Sequence, residues 1–281
     1  MRECVLWLMS KFQTLPEAIN FLVFDGDTIA MEGFTHLIPF AAAHEIIRQR
    51  KRNLTAVRLT PDLIYDQMIG AGCIRKLIFS WGGNPGVGSL HRFRDAIQNS
   101  WPVPLEIEEH THAGLTNRYI AGASGIPFAV MRGYRGSDLM DKTENVALIK
   151  SPFGEEILTA VAAINPDVTI IHAQQADMDG NIMLWGITGV QKEAVFAASR
   201  VIVTVEEIVE SFEPKLNSVV LPSALITAIC LSPNGASPSY ALDYYDRDNS
   251  QYIDWQDTSK DRDDFELWLK QIIFSGDPKN D

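Results

Sequence analysis

The chain has 281 residues, of which 46% are apolar and 21% are charged, and these values are typical of a globular protein. They exclude a disordered, collagen-like or simple coiled-coil protein. The 24 basic and 36 acidic side chains give a net charge of −12, which argues against a nucleic-acid-binding protein, because such proteins hold phosphates with Lys and Arg.

The cysteines and the apolar runs indicate where the protein works. Cys4, Cys73 and Cys230 are too few and too scattered for a disulfide framework, and no Cys/His spacing is typical of a metal site. Reduced thiols predict a cytoplasmic protein. No apolar run approaches the roughly 20 residues that a membrane-spanning helix needs. Residues 1–9 lack the features of a signal peptide, and we interpret them as an N-terminal extension.

Short apolar runs alternate with helical patterns from the start of the chain. Thr14, followed by Pro16, is predicted to cap a first helix. Apolar runs predict strands at 28–31, 53–60, 76–81, 105–110, 128–133, 168–174 and 200–208. Apolar periodicity predicts helices at 41–51, 61–72, 88–100, 115–125, 154–164 and 191–199.

This alternation predicts an α/β fold with an open, mainly parallel sheet and helices on both faces. No linker divides the chain before about residue 232, so we expect a single domain over residues 1–281. Residues 232–281 are predicted to be its C-terminal arm, a loop-like acidic stretch that leads to a final helix, DDFELWLKQIIF. The arm is rich in aromatic side chains, which predict a subunit contact: Tyr240, Tyr244, Tyr245, Tyr252 and Trp255.

Ligands of open parallel sheets collect at the carboxyl ends of the strands, so the loops after the strands are the expected sites. Gly33, Phe34 and Thr35 follow the first strand, and a glycine there would let a ligand approach the main chain closely. The alternative is a tight structural turn. The segment is not GxGxxG, so a nicotinamide-binding fingerprint is absent.

A glycine-rich loop follows the third predicted strand. It contains Asn84, Gly86 and Val87 and leads into a helix. Backbone amides of such a loop can hold a phosphate or a developing oxyanion. The loop lacks the Lys-Ser/Thr pair of a P-loop, which disfavours nucleotide hydrolysis.

Acidic and imidazole side chains cluster after the fourth predicted strand. Glu109, His110 and His112 could act in acid–base chemistry or position a substrate. Metal binding is disfavoured, because no further ligand set is evident. Satisfied polar positions are the alternative.

Three further strand ends carry polar groups. Arg132, near Gly136 and Ser137, offers a guanidinium for a carboxylate or phosphate, although structural ion pairing is equally compatible. Gln174 and Gln175 end a buried strand, as expected for the mouth of a site. Glu206 and Glu207 end another strand, where a general acid or an ordinary helix-start carboxylate would fit.

Taken in order, these segments resemble the alpha (A) subunits of the class I coenzyme A-transferases, most closely those of the glutaconate type. The resemblance covers about residues 12–265. The matching segments are DGDTIAMEGFTHLIPFAAAHEIIRQ, IGAGCIRKLIFSWGGNPGV, IPFAVMRGYRGSDL and VTIIHAQQADMDGNIMLWG.

The resemblance implies that alpha (A) and beta (B) subunits form a dimer of AB pairs, A2B2. The glutamate that forms a thioester with CoA belongs to the B subunit, so this chain would supply no nucleophile. A CoA thioester is the implied substrate, with no permanently bound cofactor. We expect this chain to supply the acyl- and oxyanion-binding surface from its strand-end loops, with these candidates: Gly33, Phe34, Thr35, Asn84, Gly86, Val87, Arg132, Gly136, Ser137, Gln174 and Gln175.

Two positions depart from the family pattern. Glu32 stands where a glycine is usual, which would place a charged side chain in the first loop. Pro85 stands where the glutaconate-type enzyme carries a serine that contacts substrate. The lost hydroxyl puts a dicarboxylate substrate in doubt.

Relatives on the same scaffold offer alternatives. A ring-cleaving CoA hydrolase of steroid degradation carries a functional glutamate in the segment that aligns with residues 108–112, and another relative decarboxylates a branched glutaconyl-CoA. A hydrolase or decarboxylase using Glu109, His110 or His112 is therefore the second hypothesis. A sugar-phosphate isomerase-like or ligand-sensing domain without CoA chemistry is the third, and the acidic charge argues against a regulator.

Overall fold

The structure is a computed structural model that describes residues 10–84 and 87–275. The proposed N-terminal extension at 1–9 and the loop residues Pro85 and Gly86 lie outside the described residues. Within the described part of the chain, no helix is long and apolar enough to cross a membrane.

The strands and helices alternate along most of the chain. The strands are β1 Thr28–Glu32, β2 Leu54–Arg58, β3 Ile74–Phe79, β4 Glu106–Glu109, β5 Phe128–Met131, β6 Val146–Lys150, β7 Ile157–Ala162, β8 Val168–Asp177, β9 Ile182–Leu184, β10 Arg200–Val209, β11 Val219–Leu221 and β12 Ala228–Leu231. The α-helices are α1 Leu15–Leu22, α2 Phe40–Arg48, α3 Leu63–Gly70, α4 His91–Asn99, α5 His112–Ala123, α6 Leu139–Lys142, α7 Gln191–Ala197, α8 Asn249–Thr258 and α9 Arg262–Trp268. A 3₁₀ turn spans Ser223–Leu225, and a π-helix, Leu269–Ile273, continues α9.

The main sheet is parallel across most of its width. Its order is β12, β10, β8, β1, β2, β3, β4, and every one of these neighbours pairs in parallel. Antiparallel β9 and β11 extend the second half of β8. A separate antiparallel sheet has the order β5, β7, β6. The predicted open, mainly parallel α/β fold is confirmed.

Helices cover both faces of the main sheet. Successive residues of a strand point to opposite faces, so each buried strand contributes side chains to both layers of packing. Ile29 and Met31 of β1 pack in a core with α2 and α3, whereas Ala30 between them packs with α5 and α7. The first helix begins as predicted, since the Thr14 side chain accepts a hydrogen bond from the Glu17 backbone amide and Pro16 lies in the first turn.

The helix predicted at 154–164 is wrong, because residues 157–162 form β7. The segment is central in the small sheet, where β5 and β6 pair with it on either side. Thr159 and Val161 are fully buried and alternate with less buried neighbours, the period of a strand rather than a helix. Strands β6, β9, β11 and β12 and helices α6 and α8 are additions that the sequence pattern does not predict.

The C-terminal arm packs against the chain's own core. Tyr252 and Trp255 are 1% and 3% exposed and belong to the same core as β1 and α3. Trp255 Nε1 donates to Asp66 Oδ2 at 3.0 Å. The predicted subunit contact is therefore wrong for these two side chains, because their aromatic surface is already buried within this chain. Tyr244 stays 37% exposed.

Candidate functional site

The loop after β1 makes a sharp turn at the carboxyl edge of the main sheet. Thr35 and Leu37 have φ of 58° and 52°, in the left-handed region. A Cβ at Gly33 would lie 2.7 Å from the Leu37 carbonyl oxygen and 2.8 Å from that of His36. The turn itself therefore requires the glycine, which is the structural alternative that the sequence left open; close approach of a ligand to this main chain stays a prediction. Phe34 is 37% exposed beside this turn.

The two glutamines at the end of β8 have different surroundings. Gln174 is buried, and its amide donates to the Trp185 carbonyl and accepts from the Trp185 amide at 3.1 and 3.2 Å. Gln175 lies nearer the surface, where Nε2 donates to Glu207 Oε2 at 3.2 Å and to the Tyr244 hydroxyl at 3.3 Å. Of the two, Gln175 is the one placed to contact a ligand at this edge.

A buried His–Glu pair joins β8 to β10 beside these glutamines. His172 Nε2 lies 2.7 Å from Glu206 Oε1, and the Tyr245 hydroxyl donates to the same oxygen at 2.5 Å. Burial alone would raise the pKa of Glu206, but the hydrogen bonds from His172 and Tyr245 lower it below its ordinary value. The Asn234 amide donates to the other carboxylate oxygen. Glu206 is thus a fixed anion that anchors the segment 234–245.

A second buried network lies between the ends of β1 and β2. Glu32, 2% exposed, accepts hydrogen bonds from the Leu59 amide and the Tyr119 hydroxyl. Arg58 Nη2 donates to the Gly33 carbonyl at 2.9 Å and to Asp62 Oδ2 at 3.1 Å. The sequence suggests that Glu32 places a charged side chain in the Gly33 loop, but this side chain points into the protein interior. Sequence reasoning identifies Glu32 only as a family departure and does not single out Arg58 or Asp62.

Asn84 is the most unusual of the predicted loop residues. It is 5% exposed, and neither its amide nitrogen nor its amide oxygen has a hydrogen-bond partner among residues 10–84 and 87–275. The preceding Gly83 amide donates to the Pro61 carbonyl, which places Asn84 beside the end of β2. A buried, unpaired amide is costly, so a polar ligand or water here would remove a penalty of about 1–3 kcal/mol. Val87 follows in the same loop, while Gly86 lies outside the described residues.

The three acid–base candidates after β4 are not brought together. His110 is 1% exposed, with Nδ1 2.8 Å from the Tyr134 hydroxyl and Nε2 2.9 Å from Glu108 Oε1. Burial lowers the pKa of His110 despite the nearby carboxylate. Glu109 and His112 are exposed, and His112 opens α5.

Glu108 holds this network together. Its Oε1 accepts from Arg118 at 2.5 Å and from Asn145 at 3.1 Å, and Oε2 lies 2.9 Å from Lys76 Nζ. Burial would raise the pKa of Glu108, but hydrogen bonds from His110 and Lys76 and the charge of Arg118 together lower it well below its usual range. His110 therefore has a satisfied, structural position, which is the alternative that the sequence left open.

The turn after β5 carries the remaining candidates. Arg132 is exposed and forms two hydrogen bonds with Glu156, at 2.7 and 3.0 Å. The Ser137 hydroxyl donates to the Tyr134 carbonyl at 2.7 Å, and Gly136 has a φ of 77°. This turn lies beside the end of β4, at the far side of the sheet from β8 and β10. Structural pairing thus accounts for Arg132.

The sequence does not predict a metal centre. Among residues 10–84 and 87–275, no group of three or more His, Cys, Asp or Glu side chains could hold a metal ion. The candidates that share the carboxyl edge near β1, β2 and β8 are the turn at Gly33–Thr35, Asn84 and Gln175.

Comparison with known proteins identifies the scaffold. The coenzyme A transferase family model matches residues 12–232. The A subunit of 3-oxoadipate CoA-transferase from Pseudomonas knackmussii is 58% identical over 94% of both chains. The A subunit of glutaconate CoA-transferase from Acidaminococcus fermentans is 33% identical over 95% of this chain and 88% of its own.

Solved structures agree with these matches. The crystal structure of glutaconate coenzyme A-transferase from Acidaminococcus fermentans superposes with a TM-score of 0.86 and 30% identity, covering 95% of this chain and 90% of that one. A variant of the decarboxylase AibA/AibB superposes with a TM-score of 0.81 and 27% identity, over 94% and 100% of the two chains. The resemblance found in the sequence is confirmed: this chain belongs to the coenzyme A transferase family, as an alpha subunit.

Proposed function

We propose that this chain is the A subunit of an enzyme that transfers CoA from an acyl-CoA to 3-oxoadipate. The observation that carries the proposal is the 58% identity to the A subunit of a 3-oxoadipate CoA-transferase, which extends over 94% of both chains. The match extends over 265 residues, nearly the whole length of this chain. The proposal includes a CoA thioester as substrate and no further permanently bound cofactor.

We further propose that the nucleophile belongs to a partner B subunit, in an A2B2 assembly. The buried carboxylates at the strand ends of this chain support this, because Glu108 and Glu206 are held in place by several donors each. A carboxylate so restrained is a poor nucleophile for a thioester. Residues 1–281 would form one domain of that assembly, with the 232–281 arm as part of it, since Trp255 and Phe265 join the core.

The reaction would proceed through an enzyme thioester. The partner's glutamate attacks the thioester carbonyl of the acyl-CoA, which gives an acyl–glutamyl anhydride and releases the CoA thiolate. The thiolate attacks the glutamyl carbonyl of the anhydride, and the free acid leaves. The 3-oxoadipate carboxylate then attacks the carbonyl of the glutamyl-CoA, which gives a second anhydride and releases the CoA thiolate. The thiolate attacks the 3-oxoadipyl carbonyl of this anhydride, so that 3-oxoadipyl-CoA forms and the glutamate carboxylate leaves. Each attack places negative charge on a carbonyl oxygen.

This chain would stabilise that charge and hold the acyl group. We assign the oxyanion and acyl surface to the main chain at Gly33, Phe34 and Thr35, to the loop with Asn84, Gly86 and Val87, and to Gln175. The unpaired amide of Asn84 can donate to a substrate oxygen, which would satisfy it. Gln174 and Arg132 are assigned to structural bonds instead. We assign Gly136 and Ser137 a structural role in the turn after β5, the same turn that carries Arg132.

The test is to assay the chain with and without a B subunit. The probe is the B subunit that accompanies the P. knackmussii relative, supplied with 3-oxoadipate and a panel of acyl-CoA thioesters. Neither chain alone should turn over, and the mixture should transfer CoA to 3-oxoadipate at least about tenfold faster than to glutaconate or adipate. Robust turnover by the isolated chain would contradict the proposal. It would also be contradicted if sedimentation showed that this chain remains a monomer in the presence of the B subunit.

A different reaction on the same scaffold would also be visible in this assay. Release of free CoA without any acceptor would indicate a hydrolase, and loss of CO₂ from a glutaconyl-CoA probe would indicate a decarboxylase. The AibA/AibB decarboxylase structure, at 27% identity, supports that alternative less than the 58% relative supports transfer.

A further inference from the structure

Glu32 connects four elements directly behind the Gly33 turn. It is the last residue of β1, and its Oε1 accepts from the Leu59 amide at 3.2 Å and from the Tyr119 hydroxyl of α5 at 2.9 Å. Its main-chain carbonyl accepts from Gln191 Nε2, at the start of α7, at 3.3 Å. A change in the charge or position of the Glu32 side chain is therefore expected to affect Gly33, the residue that follows it.

Arg58 fixes the turn from the other side. Its guanidinium is fully buried and donates to the Gly33 carbonyl, while its Nε and Nη1 have no hydrogen-bond partner in the described part of the chain. Within that part, Asp62 Oδ1 also lacks a partner. Unsatisfied buried groups of this kind are rare in folded proteins and call for an explanation. Here they lie where the carboxyl ends of β1 and β2 meet, next to the proposed acyl surface.

The Leu59 amide and the Tyr119 hydroxyl that donate to the Glu32 carboxyl are neutral, whereas Arg58 pairs with Asp62, on which the positive charge of Arg247 also acts. Among the described residues Glu32 has no direct ion pair, and a buried carboxylate without one is costly, which favours its protonated form. Burial raises the pKa of Glu32 to about 7, against the opposing effects of Arg58 and Tyr119. Tyr65 of α3, Tyr252 of α8 and Arg247 also face the cluster. Burial raises the pKa values of Tyr65, Tyr119 and Tyr252 well above 10, so these hydroxyls stay neutral, while Arg247 contributes a positive charge beside Asp62.

We propose that Glu32 is a positioning residue for CoA transfer, and that the enzyme requires it in its protonated form. This inference rests on the proposed role of the Gly33 turn as an oxyanion and acyl site. A protonated Glu32 leaves Arg58 to hold the Gly33 carbonyl. An ionised Glu32 places a negative charge behind the turn, which repels a developing oxyanion and competes with Gly33 for the guanidinium. The rate of transfer therefore falls as Glu32 loses its proton.

The test compares the pH profiles of the assembled enzyme with Glu32 and with Glu32→Gln. Glutamine has the shape of the protonated acid and cannot ionise. The wild-type kcat/KM should fall by about tenfold between about pH 6 and pH 8.5, whereas Glu32→Gln should lack this fall and exceed the wild type at the upper end of that range. The effect should lie mainly in kcat. Glu45→Gln is the matched control, because Glu45 is another buried carboxylate, on α2 and paired with Arg48.

A second measurement needs no enzymatic activity. The folded state binds the Glu32 proton more tightly than the unfolded state, so its contribution to stability is present below about pH 4.5 and is lost as the pH rises through about 7. The thermal midpoint of the isolated chain should therefore decline more steeply with pH for the wild type than for Glu32→Gln. Coincident rate profiles, an equal loss of activity by Glu32→Gln at every pH, or coincident midpoint curves would overturn the inference. Transfer by the wild-type complex tests the proposed function separately.

Discussion

Two buried glutamates, each at or near the carboxyl end of a strand and each beside an arginine, have opposite surroundings. Glu108 in β4 accepts from Arg118 and Asn145 and pairs with Lys76. Glu32 in β1 accepts from one amide and one hydroxyl, and its neighbour Arg58 keeps two nitrogens unpaired. The donors around Glu108 outweigh its desolvation and lower its pKa, whereas at Glu32 desolvation prevails and raises the pKa to about 7.

The difference separates a structural cluster from a candidate site. Where the polar groups have partners, as around Glu108, the network links β4 to α5 and to the β5 turn, and its donors are already engaged. Where partners are missing among the described residues, as at Arg58, Asp62 and Asn84, the fold keeps polar groups in an unfavourable state, and it does so also at Arg92 and Ser259, away from this edge. Such local costs are expected at functional sites, so the unpaired groups beside the proposed acyl surface are the candidates for ligand contacts.

The largest expected effect follows from removing the centre of the satisfied cluster. Glu108→Ala leaves Arg118 and His110 buried without their shared acceptor, so the free energy of unfolding should fall by about 3–5 kcal/mol. Urea denaturation of the isolated chain measures this. Because the pKa of Glu108 is lowered in the folded state, its contribution to the free energy of unfolding is present above about pH 4.5 and is lost as the pH falls. This is the reverse of the trend at Glu32.

The matched control is Glu109→Ala, one residue along. Glu109 is exposed, so its loss should leave the urea midpoint unchanged. Equal stability of Glu108→Ala and the wild type would show that the β4 cluster is not structural, and the contrast with the Glu32 cluster would be lost.

A smaller effect is expected at His112, on the exposed start of α5. If CoA transfer occurs with the nucleophile on the partner, His112→Ala should lower kcat/KM of the assembled enzyme by less than about tenfold. A loss of about 10²–10⁴ would instead assign His112 an acid–base role and favour the hydrolase or decarboxylase hypothesis. The assay is run with and without the acceptor carboxylate, because a transferase requires it, whereas a hydrolase or a decarboxylase does not.

The smallest effect is expected at Arg132. Its guanidinium is 80% exposed and already paired with Glu156, and exposed pairs contribute little to stability. Arg132→Ala should therefore change neither the KM for acyl-CoA nor the urea midpoint. A rise in KM of about tenfold would indicate that the acyl-binding surface lies at the turn after β5 and not at the Gly33 turn.

The sequence predicts most of the parallel strands of the main sheet, because several of them are buried on both faces and carry long apolar runs, whereas β12 is missed. β1, β8 and β10 are examples in which the apolar run and the strand nearly coincide. Residues 154–164 mislead, because the run of Ile, Leu, Ala and Val fits a helical period until pairing with two neighbours is known. Local pattern cannot reveal partners that lie distant in the chain.

The candidate site is harder to predict than the fold. His110 attracts attention in the sequence because imidazole is a common acid–base group, yet its partner Tyr134 comes from the β5 turn, 24 residues later in the chain. Glu32 is conspicuous only by comparison with the family's usual glycine. Its perturbed state depends on Leu59 and Tyr119, which are 27 and 87 residues away in sequence. Burial and missing partners are properties of the folded chain.

Helix α3 has a consequence for the order in which the protein folds during synthesis. Every residue of Leu63–Gly70 is buried, and part of its cover comes from much later in the chain. Trp255 reaches Asp66 across 189 residues, and the Phe265 ring lies so close to Gly70 that a Cβ there would be 2.7 Å from it. Until residues 249–268 have been made, α3 keeps an apolar side open to water, and this is the stage at which a growing chain most needs a chaperone.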